Sequence, residues 1–253
     1  MLKELVISIQ AFSAAHRFII RHKLWKWILI PGIIYAVLFV TGIWLFSTSL
    51  GEFLEWLNNK IGVLSWLTKQ NIGFLNFLFV ITELIFRLIL LFFYFSLFKF
   101  LFLIVGSPVF AFLSQKTENI IEGNEDSFSI IQFTRDIWRG IQLATRNLVW
   151  QTVYIISLLL LTFIPVIGWA SPLIAFMVEC YYYGFSMMGY STARHKLTLQ
   201  QSIQFISTKK GLAIGNGMVF YSMHLIPIVG WVLAPAYAVI AATLSLYHVN
   251  EEI

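Results

Sequence analysis

Residues 164–169 read IPVIGW, and the pattern returns as IPIVGW at residues 226–231. In each copy an apolar arm reaches a proline, a glycine and a tryptophan, and a second apolar arm follows. The arms of the second copy, residues 212–225 and 232–246, have about 14 and 15 residues. Because a helix needs about 20 apolar residues to cross a bilayer, these arms predict a hairpin that enters the membrane and turns back within it.

The first copy lies within residues 148–190 and has longer arms than the second, within residues 212–246. A re-entrant hairpin is predicted for both, and a full span stays open for the first. Paired segments broken by Gly and Pro mark the substrate site of many transporters, but they can also simply seat a short hairpin at the interface. The predicted turn residues are Pro165, Gly168, Pro172, Pro227, Gly230 and Pro235.

The composition is that of a membrane protein. Of the 253 residues, 59% are hydrophobic and 11% are charged, whereas soluble domains have about 25% charged residues. Within residues 31–105, one apolar run (32–50) is long enough to cross the bilayer, and a longer one (73–105) must tilt or project beyond it. The predicted fold class is all-α: a polytopic membrane protein with two long spanning helices, two Pro/Gly-broken hairpins and amphipathic interfacial helices.

The interfacial segments are the basic and polar ones. Residues 1–30 set basic side chains between apolar ones, which predicts an amphipathic helix along the lipid headgroups. Residues 106–147 are polar enough to form two short helices at or outside the interface. Residues 191–211 form a basic loop, in which Thr198 and Gln201 predict the capping box of a short helix. This loop has no acidic residue, and its cations are Arg194, Lys196, Lys209 and Lys210.

The excess of Lys and Arg predicts that the N-terminus and the basic loop both face the cytoplasm. An anion could be bound nearby, where a helix begins with Ser107 as N-cap and Pro108 as its first residue, because N–H groups there would face the ligand. Alternatively, Ser107 only caps the helix and the cations pair with anionic lipid. The candidate anion-binding residues are Lys26, Lys23, Arg21, Gly106, Ser107 and Pro108.

Four ionisable residues lie in or beside apolar segments. Glu83 and Arg87 stand one turn apart in the second apolar run, where they predict a structural ion pair or, alternatively, a functional site. Glu179 is interpreted as a wetted glutamate near an interfacial tyrosine belt, with a proton-coupling carboxylate as the alternative if it is buried. His224 is interpreted as interfacial packing, with pH sensing as the alternative.

Signatures of catalysis are not found in the sequence. It has no Gly-rich phosphate loop, no paired histidine metal motif and no nucleophile elbow. The single cysteine, Cys180, rules out an intramolecular disulfide and a cysteine-based metal site. We expect no enzyme activity, no cofactor, no metal and no nucleic-acid partner.

The order of these features resembles the CysZ-type sulfate transporter family, which includes the eukaryotic etoposide-induced membrane proteins. The resemblance covers nearly the whole chain, and no single motif is specific. It rests on the basic helix before Leu29-Ile30-Pro31, the step Ser107-Pro108-Val109-Phe110, the hairpin from Phe163-Ile164-Pro165 to Pro172, Tyr190 with His195-Lys196, and the hairpin from Ile226-Pro227 to Pro235.

The resemblance implies an oligomeric bacterial inner-membrane protein that passes sulfate inward for cysteine synthesis, through two long spanning helices and two half-penetrating hairpins. Relatives have two adjacent arginines, proposed to bind sulfate, just before the first proline. Here Trp25 and Lys26 stand at these positions, and lysine replaces a bidentate donor with a point charge. Gly189 and Ala193 stand where relatives often have acidic residues.

Two functions are therefore predicted. The first is an anion transporter or channel, for sulfate or a related oxyanion, that contacts lipid and assembles as a homo-oligomer. The second is a scaffold of the same fold that transports nothing and binds lipids or partners through residues 1–26 and 191–211. A polar interior would favour the transporter, whereas a sealed apolar interior would favour the scaffold.

Overall fold

The structure is a computed structural model that describes residues 1–61, 98–123, 130–161, 167–194, 197–226 and 228–251. Within these ranges the chain is helical and forms no β-strand, which confirms the predicted all-α polytopic membrane protein. The helices are α1 (Leu2–Arg21), α2 (Trp25–Ile61), α3 (Phe98–Val105), α4 (Ser107–Glu122), α5 (Ile130–Leu161), α6 (Ile167–Arg194), α7 (Leu199–Thr208), α8 (Lys210–His224) and α9 (Val229–Glu251).

Two described helices are long and apolar enough to cross a membrane. In α2 the segment Trp25–Ser49 has 25 residues with a mean hydropathy of 2.3, and in α9 the segment Val229–His248 has 20 residues with a mean hydropathy of 1.8. The pair α3 and α4, bent by 61°, is a third candidate if it counts as one span. Most of the predicted second span, with Glu83 and Arg87, lies outside the described residues.

The chain divides into two compact units, residues 1–36 with 102–253 and residues 37–101. In the smaller unit, Phe39 and Phe98 are buried, and their ring centroids lie 5.3 Å apart. Lys99 is also buried, and its Nζ lies 4.9 Å from the centre of its neighbour's ring, that of Phe100. A cation over an aromatic face is stabilised by the ring quadrupole, which partly offsets the cost of burying the charge.

In the larger unit, α1 packs through one face on α8 and α9. This face has small and apolar residues at helical spacing, and its members are Ser8, Ala11, Phe12, Ala15 and Ile19. The opposite face stays open, with Leu2 78% and Val6 49% exposed. The predicted amphipathic helix is therefore present, and it has a protein-facing side as well as an outward apolar side.

The two hairpins pack against each other through glycines. A Cβ atom on Gly184 of α6 would lie 1.9 Å from the carbonyl oxygen of Ala213, and one on Gly217 of α8 would lie 2.1 Å from that of Cys180. The backbones of α6 and α8 are therefore in direct contact, as is usual for membrane helices that meet at small residues. Cys180 is fully buried at this contact.

The first hairpin differs from its predicted boundary. Helix α5 has 32 residues and runs without a break from Ile130 to Leu161, so residue 148 does not start a new element. Two polar side chains on either side of the predicted boundary donate hydrogen bonds inside the protein. Asn147 donates to Ser186 Oγ over 2.9 Å, and Gln151 donates to Glu179 over 2.6 Å.

The second hairpin has arms of 15 residues (α8) and 23 residues (α9). The expected 15-residue second arm is therefore too short, because α9 continues to Glu251. A helix of this length extends about 34 Å and can cross the hydrocarbon core. The polar end of α9 is held by a hydrogen bond of 2.5 Å from Tyr247 Oη to Glu122.

A short turn joins the arms of the second hairpin. Ile228 has a positive φ of 62°, and a Cβ atom on Gly230 would lie 1.9 Å from the carbonyl oxygen of Met223. The indole of Trp231 donates to the carbonyl oxygen of His224 over 3.1 Å. The glycine and the tryptophan of the repeated pattern therefore close this turn, while Pro227 lies outside the described residues.

A Schellman motif joins α1 to α2. The Leu24 N–H bonds to Ile19 O over 3.1 Å, and the Lys23 N–H bonds to Ile20 O over 3.3 Å. Lys23 has a φ of 54°, the left-handed conformation that glycine usually supplies at this position. Leu24 and Ile19 are both buried, which is the apolar contact that accompanies this motif. Helix α2 thus begins at Trp25 and continues through Pro31, where the span was predicted to start.

Candidate functional site

The predicted basic cluster lies at the junction of α1 and α2. Arg21, Lys23 and Lys26 are all exposed. Burial and the Arg21 guanidinium lower the pKa of His22 below its ordinary value, so the imidazole adds no charge to the cluster at neutral pH. The junction thus presents three cations to the solvent or to lipid headgroups.

The predicted N-cap at Ser107 is wrong by one residue, because Gly106 is the N-cap and Ser107 is already helical. Few backbone donors remain available here. The Gly106 N–H bonds to Phe102 O over 2.7 Å, the Val109 N–H bonds to Gly106 O over 3.0 Å, and Pro108 has no N–H. Ser107 is buried, and its Oγ has no hydrogen-bond partner among the described residues.

The helix break after α3 is stabilised by another helix. The hydroxyl of Tyr190 in α6 donates to Leu103 O over 2.9 Å and so supplies a partner in the turn before the break. The rings of Trp27 and Phe112, 4.3 Å apart, bring the start of α2 beside the start of α4. The segments that carry the two predicted halves of the anion site are therefore in contact, and no hydrogen bond joins Lys26 to Ser107 in the described part of the chain.

The interior of the larger unit contains a buried carboxylate. Glu179 is 8% exposed, which contradicts the interpretation as a wetted glutamate. Gln151 of α5 donates to its Oε1 over 2.6 Å, and Tyr221 of α8 donates to its Oε2 over 2.8 Å. The carboxylate therefore links both hairpins. The sequence did not predict this burial, because the hydrogen-bond partners of Glu179 come from distant segments and not from the tyrosines that follow it.

A second polar group includes His224. Its Nε2 lies 3.1 Å from the hydroxyl of Tyr35 in α2. The nearby Tyr183 is fully buried, with its ring stacked 3.7 Å from that of Phe220, and its hydroxyl has no partner among the described residues. His224 thus makes a specific polar contact, which the interpretation as interfacial packing did not include.

Helix α4 contributes a polar stripe that the sequence analysis missed. Ser114, Glu118 and Glu122 are spaced four residues apart, so they share one face. Each bonds to a different helix position: Ser114 to Thr243 over 3.3 Å, Glu118 to Ser191 over 2.9 Å, and Glu122 to Tyr247. The i, i+4 spacing was the available signal, but the segment was predicted only as a short helix at or outside the interface.

The basic loop contains the predicted short helix, α7. Its capping box is present, with the Gln201 N–H bonding to Thr198 Oγ1 over 3.3 Å and the Thr198 N–H bonding to Gln201 Oε1 over 2.8 Å. Lys210 is exposed and Lys209 is half-buried. The side chain of Arg194 and the whole of Lys196 lie outside the described residues.

The start of α8 carries Lys209 and Lys210, which oppose the helix dipole. Glu4 of α1 offsets this, because its carboxylate accepts the Gly211 N–H over 3.0 Å and lies at the positive end of α8. The N-terminal helix is therefore attached to the second hairpin by charge as well as by packing. Nothing in the local sequence around either residue predicted this contact.

The predicted hairpin-turn residues have different environments. Pro172 is exposed inside α6, whereas Pro235 is buried inside α9 and Gly230 is buried at the start of that helix. Gly168 lies in the first turn of α6. Pro165 and Pro227 lie outside the described residues.

Comparison with known proteins gives one family and several relatives. A family model described as sulfate transporter CysZ/etoposide-induced protein 2.4 matches residues 11–235. A sulfate transporter CysZ of Pseudomonas paraeruginosa is 27% identical over 239 residues, 93% of this chain and 92% of the relative. Proteins of the same name from Pseudomonas aeruginosa PAO1 (27% identical, 93% of this chain and 92% of the relative) and Pseudomonas syringae pv. tomato (28%, 86% and 82%) are also similar.

Proposed function

The chain belongs to the sulfate transporter CysZ/etoposide-induced protein 2.4 family, and from this premise we propose that it carries sulfate or a related oxyanion across the bacterial inner membrane. A transporter role is supported by relatives named sulfate transporter that match 93% of its length. The substrate, the direction and the membrane are our proposal. We also propose that the N-terminus and residues 191–211 face the cytoplasm, since both are rich in Lys and Arg, and that the protein works as a homo-oligomer.

The polar interior is the observation that carries the proposal. Burying polar groups in a membrane protein is costly, and such groups are usually retained for function. Glu179 with Gln151 and Tyr221, His224 with Tyr35, and the α4 stripe set hydroxyl, amide and carboxylate groups between the helices. These bonds also stabilise the fold, and in addition a permeating oxyanion requires hydrogen-bond donors that replace water without holding the anion tightly.

In this proposal the exposed ammonium of Lys26 attracts the anion towards the start of α4, and the buried hydroxyl of Ser107 is available to it there. The contact between Trp27 and Phe112 positions the two segments. With one lysine in place of two arginines, the site gives charge without bidentate geometry. Weak binding with little discrimination among tetrahedral oxyanions is therefore expected.

The direct test is uptake of radiolabelled sulfate by proteoliposomes, compared with empty vesicles. Lys26→Ala should slow uptake about three- to tenfold, since one partly screened charge contributes about 1 kcal/mol. Arg135→Ala, which removes an exposed arginine elsewhere, serves as the matched control and should leave the rate unchanged. Uptake no faster than in empty vesicles, with and without a proton gradient, would refute the proposal.

Glu179→Gln tests whether the buried carboxylate carries a proton during transport. The substitution keeps the size and one acceptor oxygen, for Gln151, and its NH2 group can donate to the Tyr221 hydroxyl, but it removes the titratable group. If Glu179 couples a proton to the anion, the variant should lose any dependence of uptake on the proton gradient and keep downhill sulfate flux. An unchanged gradient dependence would leave Glu179 with a structural role only.

The scaffold alternative has one observation in its favour, the outward apolar stripe of α1 beside its exposed cations. Leu2, Val6 and Ile9 are 78%, 49% and 42% exposed. Alanine at Arg194, Lys196, Lys209 and Lys210 should release acidic liposomes in a flotation assay without any effect on uptake. Retained liposome binding would contradict the scaffold.

A further inference from the structure

An open cleft of about 450 Å³ lies between α1 and the second hairpin. Four residues of α1 line it, together with Met223 of α8 and Tyr237 of α9, and the four are Phe12, Ser13, His16 and Arg17. It is separate from Lys26, Ser107 and the Glu179 group, and the proposed transport function does not make use of it.

The polar side of the cleft is a compact set of donors. Ser13, His16 and Arg17 stand at positions i, i+3 and i+4 of one helix, so their side chains share a face. All three are exposed. None of the described residues that line the cleft is acidic, and Arg17 forms no ion pair with a described carboxylate. A guanidinium with no such partner, beside a hydroxyl and an imidazole, offers donors to the oxygens of a tetrahedral oxyanion.

One wall of the cleft holds the imidazole in place. His16 Nδ1 lies 2.7 Å from the hydroxyl of Tyr237, and the two rings are stacked with centroids 6.0 Å apart. Tyr237 is itself 6% exposed. When the tyrosine hydroxyl donates to Nδ1, the proton of the neutral imidazole is on Nε2, which can then donate to a ligand.

The rest of the wall is apolar. Phe12 is buried and Met223 is partly buried, and on the outer face of α1 the side chain of Ile20 is 51% exposed. An anionic head beside apolar walls is the chemistry of a phospholipid phosphodiester. A free inorganic sulfate or phosphate presents the same oxygens to Arg17, Ser13 and His16.

We propose that the cleft between α1 and the second hairpin binds a tetrahedral oxyanion through Arg17, Ser13 and His16, supplied either by a phospholipid phosphodiester or by an inorganic anion in solution. Bound there, the ligand links the N-terminal helix to α8 and α9. Glu4 and His16 already attach α1 to α8 and α9 through hydrogen bonds, so the ligand adds to these contacts and does not replace them.

The test is isothermal titration calorimetry of the full chain in a neutral detergent. One arm uses soluble dihexanoyl phosphatidylglycerol, a second uses sodium sulfate and sodium phosphate, and sodium chloride at matched ionic strength is the blank. Arg17→Gln should weaken binding about tenfold, because it removes the charge and the forked donor. Arg135→Gln, the same change at an exposed arginine of α5, should stay within about twofold.

Tyr237→Phe provides a second variant that keeps the buried ring and removes only the hydroxyl that orients His16. We expect about threefold weaker binding, the size of one modest hydrogen bond. Binding in the lipid arm alone identifies a phosphodiester, and binding in the inorganic arm alone identifies a free anion. No binding in either arm, or equal weakening by Arg17→Gln and Arg135→Gln, overturns the proposal. Lys26→Ala, assayed in parallel, should leave binding at this site unchanged, which distinguishes it from the transport site.

Discussion

The two hairpins share a turn pattern and differ in how their arms are joined. In the first hairpin, α5 and α6 are linked by side-chain hydrogen bonds, from Asn147 to Ser186 and from Gln151 to Glu179. In the second, Asn216 of α8 donates to the backbone carbonyl of Ala238 in α9 over 2.9 Å, and Gly230 lies against the carbonyl oxygen of Met223 at the turn. The glycine and tryptophan of the second copy of the pattern close a turn, and the arms of the two hairpins differ in the polar groups that join them.

This difference suggests different roles for the two hairpins, with the second mainly stabilising the fold and the first also taking part in transport. The α8 arm of the second hairpin packs closely on its neighbours, because Gly215 lies against α1 and Gly217 lies against α6. Helices that touch at glycine leave little room for movement. A hairpin closed by polar side chains has partners that can be exchanged for a substrate or for water. We therefore expect substitutions in the second hairpin and at its glycine contacts to affect folding, and those in the first to affect transport as well.

The largest effect should come from the contact between the hairpins. Gly184→Ala places a methyl group 1.9 Å from the carbonyl oxygen of Ala213, so the helices must separate, at about 3 kcal/mol or more. We expect loss of the monodisperse peak in size-exclusion chromatography. Gly123→Ala is the control: its Cβ meets open space and only the positive φ of 66° is unfavourable, at about 1 kcal/mol. Equal behaviour of the two variants would contradict a close helix contact.

The next largest effect compares the hydrogen bonds of Glu179, in the first hairpin, with that of Asn216, in the second. Glu179→Ala removes the acceptor of both Gln151 and Tyr221, which should cost about 2–4 kcal/mol because two buried donors lose their partner. Asn216→Ala removes one bond to a backbone carbonyl and should cost about 1–2 kcal/mol. Unfolding in detergent, followed by circular dichroism, measures both. A costlier Asn216→Ala would reverse the comparison.

A smaller effect is expected at the turn of the second hairpin. Trp231→Phe keeps an aromatic ring but loses the bond from the indole N–H to His224 O, for a cost of about 1 kcal/mol. The melting temperature of the detergent-solubilised protein should fall by a few degrees. Trp44→Phe, at a site that is 63% exposed, should leave it unchanged. If both variants melt alike, the indole bond does not contribute to closing the turn.

The smallest effect should be a gain, at a helix junction that lacks the pattern altogether. Lys23→Gly relieves a left-handed backbone that lysine tolerates poorly, and it should stabilise the protein by about 0.5–1 kcal/mol. His22→Gly is the control, because His22 has no positive φ to relieve. Glycine there adds only backbone entropy to the unfolded state, so this variant should be destabilised. A rise in melting temperature for Lys23→Gly alone confirms the strain.

The sequence predicted the parts of the fold that depend on local pattern. The apolar run after Pro31, the amphipathic N-terminal helix and the capping box at Thr198 each need only neighbouring residues, and the structure contains all three. The N-cap placed at Ser107 was one residue late, because Gly106 continues the helical conformation through the bend. The exact first residue of a helix depends on the backbone angles of single residues, and the composition of the segment does not predict these angles.

The interior of the candidate site was not predictable in the same way. Glu179 is buried because Gln151 and Tyr221, which are 28 and 42 residues away, complete its hydrogen bonds. Ser114 and Glu118 of the stripe on α4 are buried because Thr243 and Ser191 meet them from two other helices. Glu122, the third member, is exposed and bonds to Tyr247. A polar side chain is expected to be exposed unless its hydrogen-bond partners are known. Here the partners lie on other helices, and only the packing of those helices identifies them.

The burial of the single thiol, Cys180, has a practical consequence. Its sulfur lies where α6 and α8 touch, out of reach of water-soluble maleimides, so the native chain behaves towards these reagents as if it contained no cysteine. A cysteine introduced at Lys3, Arg135 or Ser222 would then be the only reactive position in intact cells. Labelling from one side of the membrane or the other would map the orientation of α1, α5 and α8 without any need to remove the native residue.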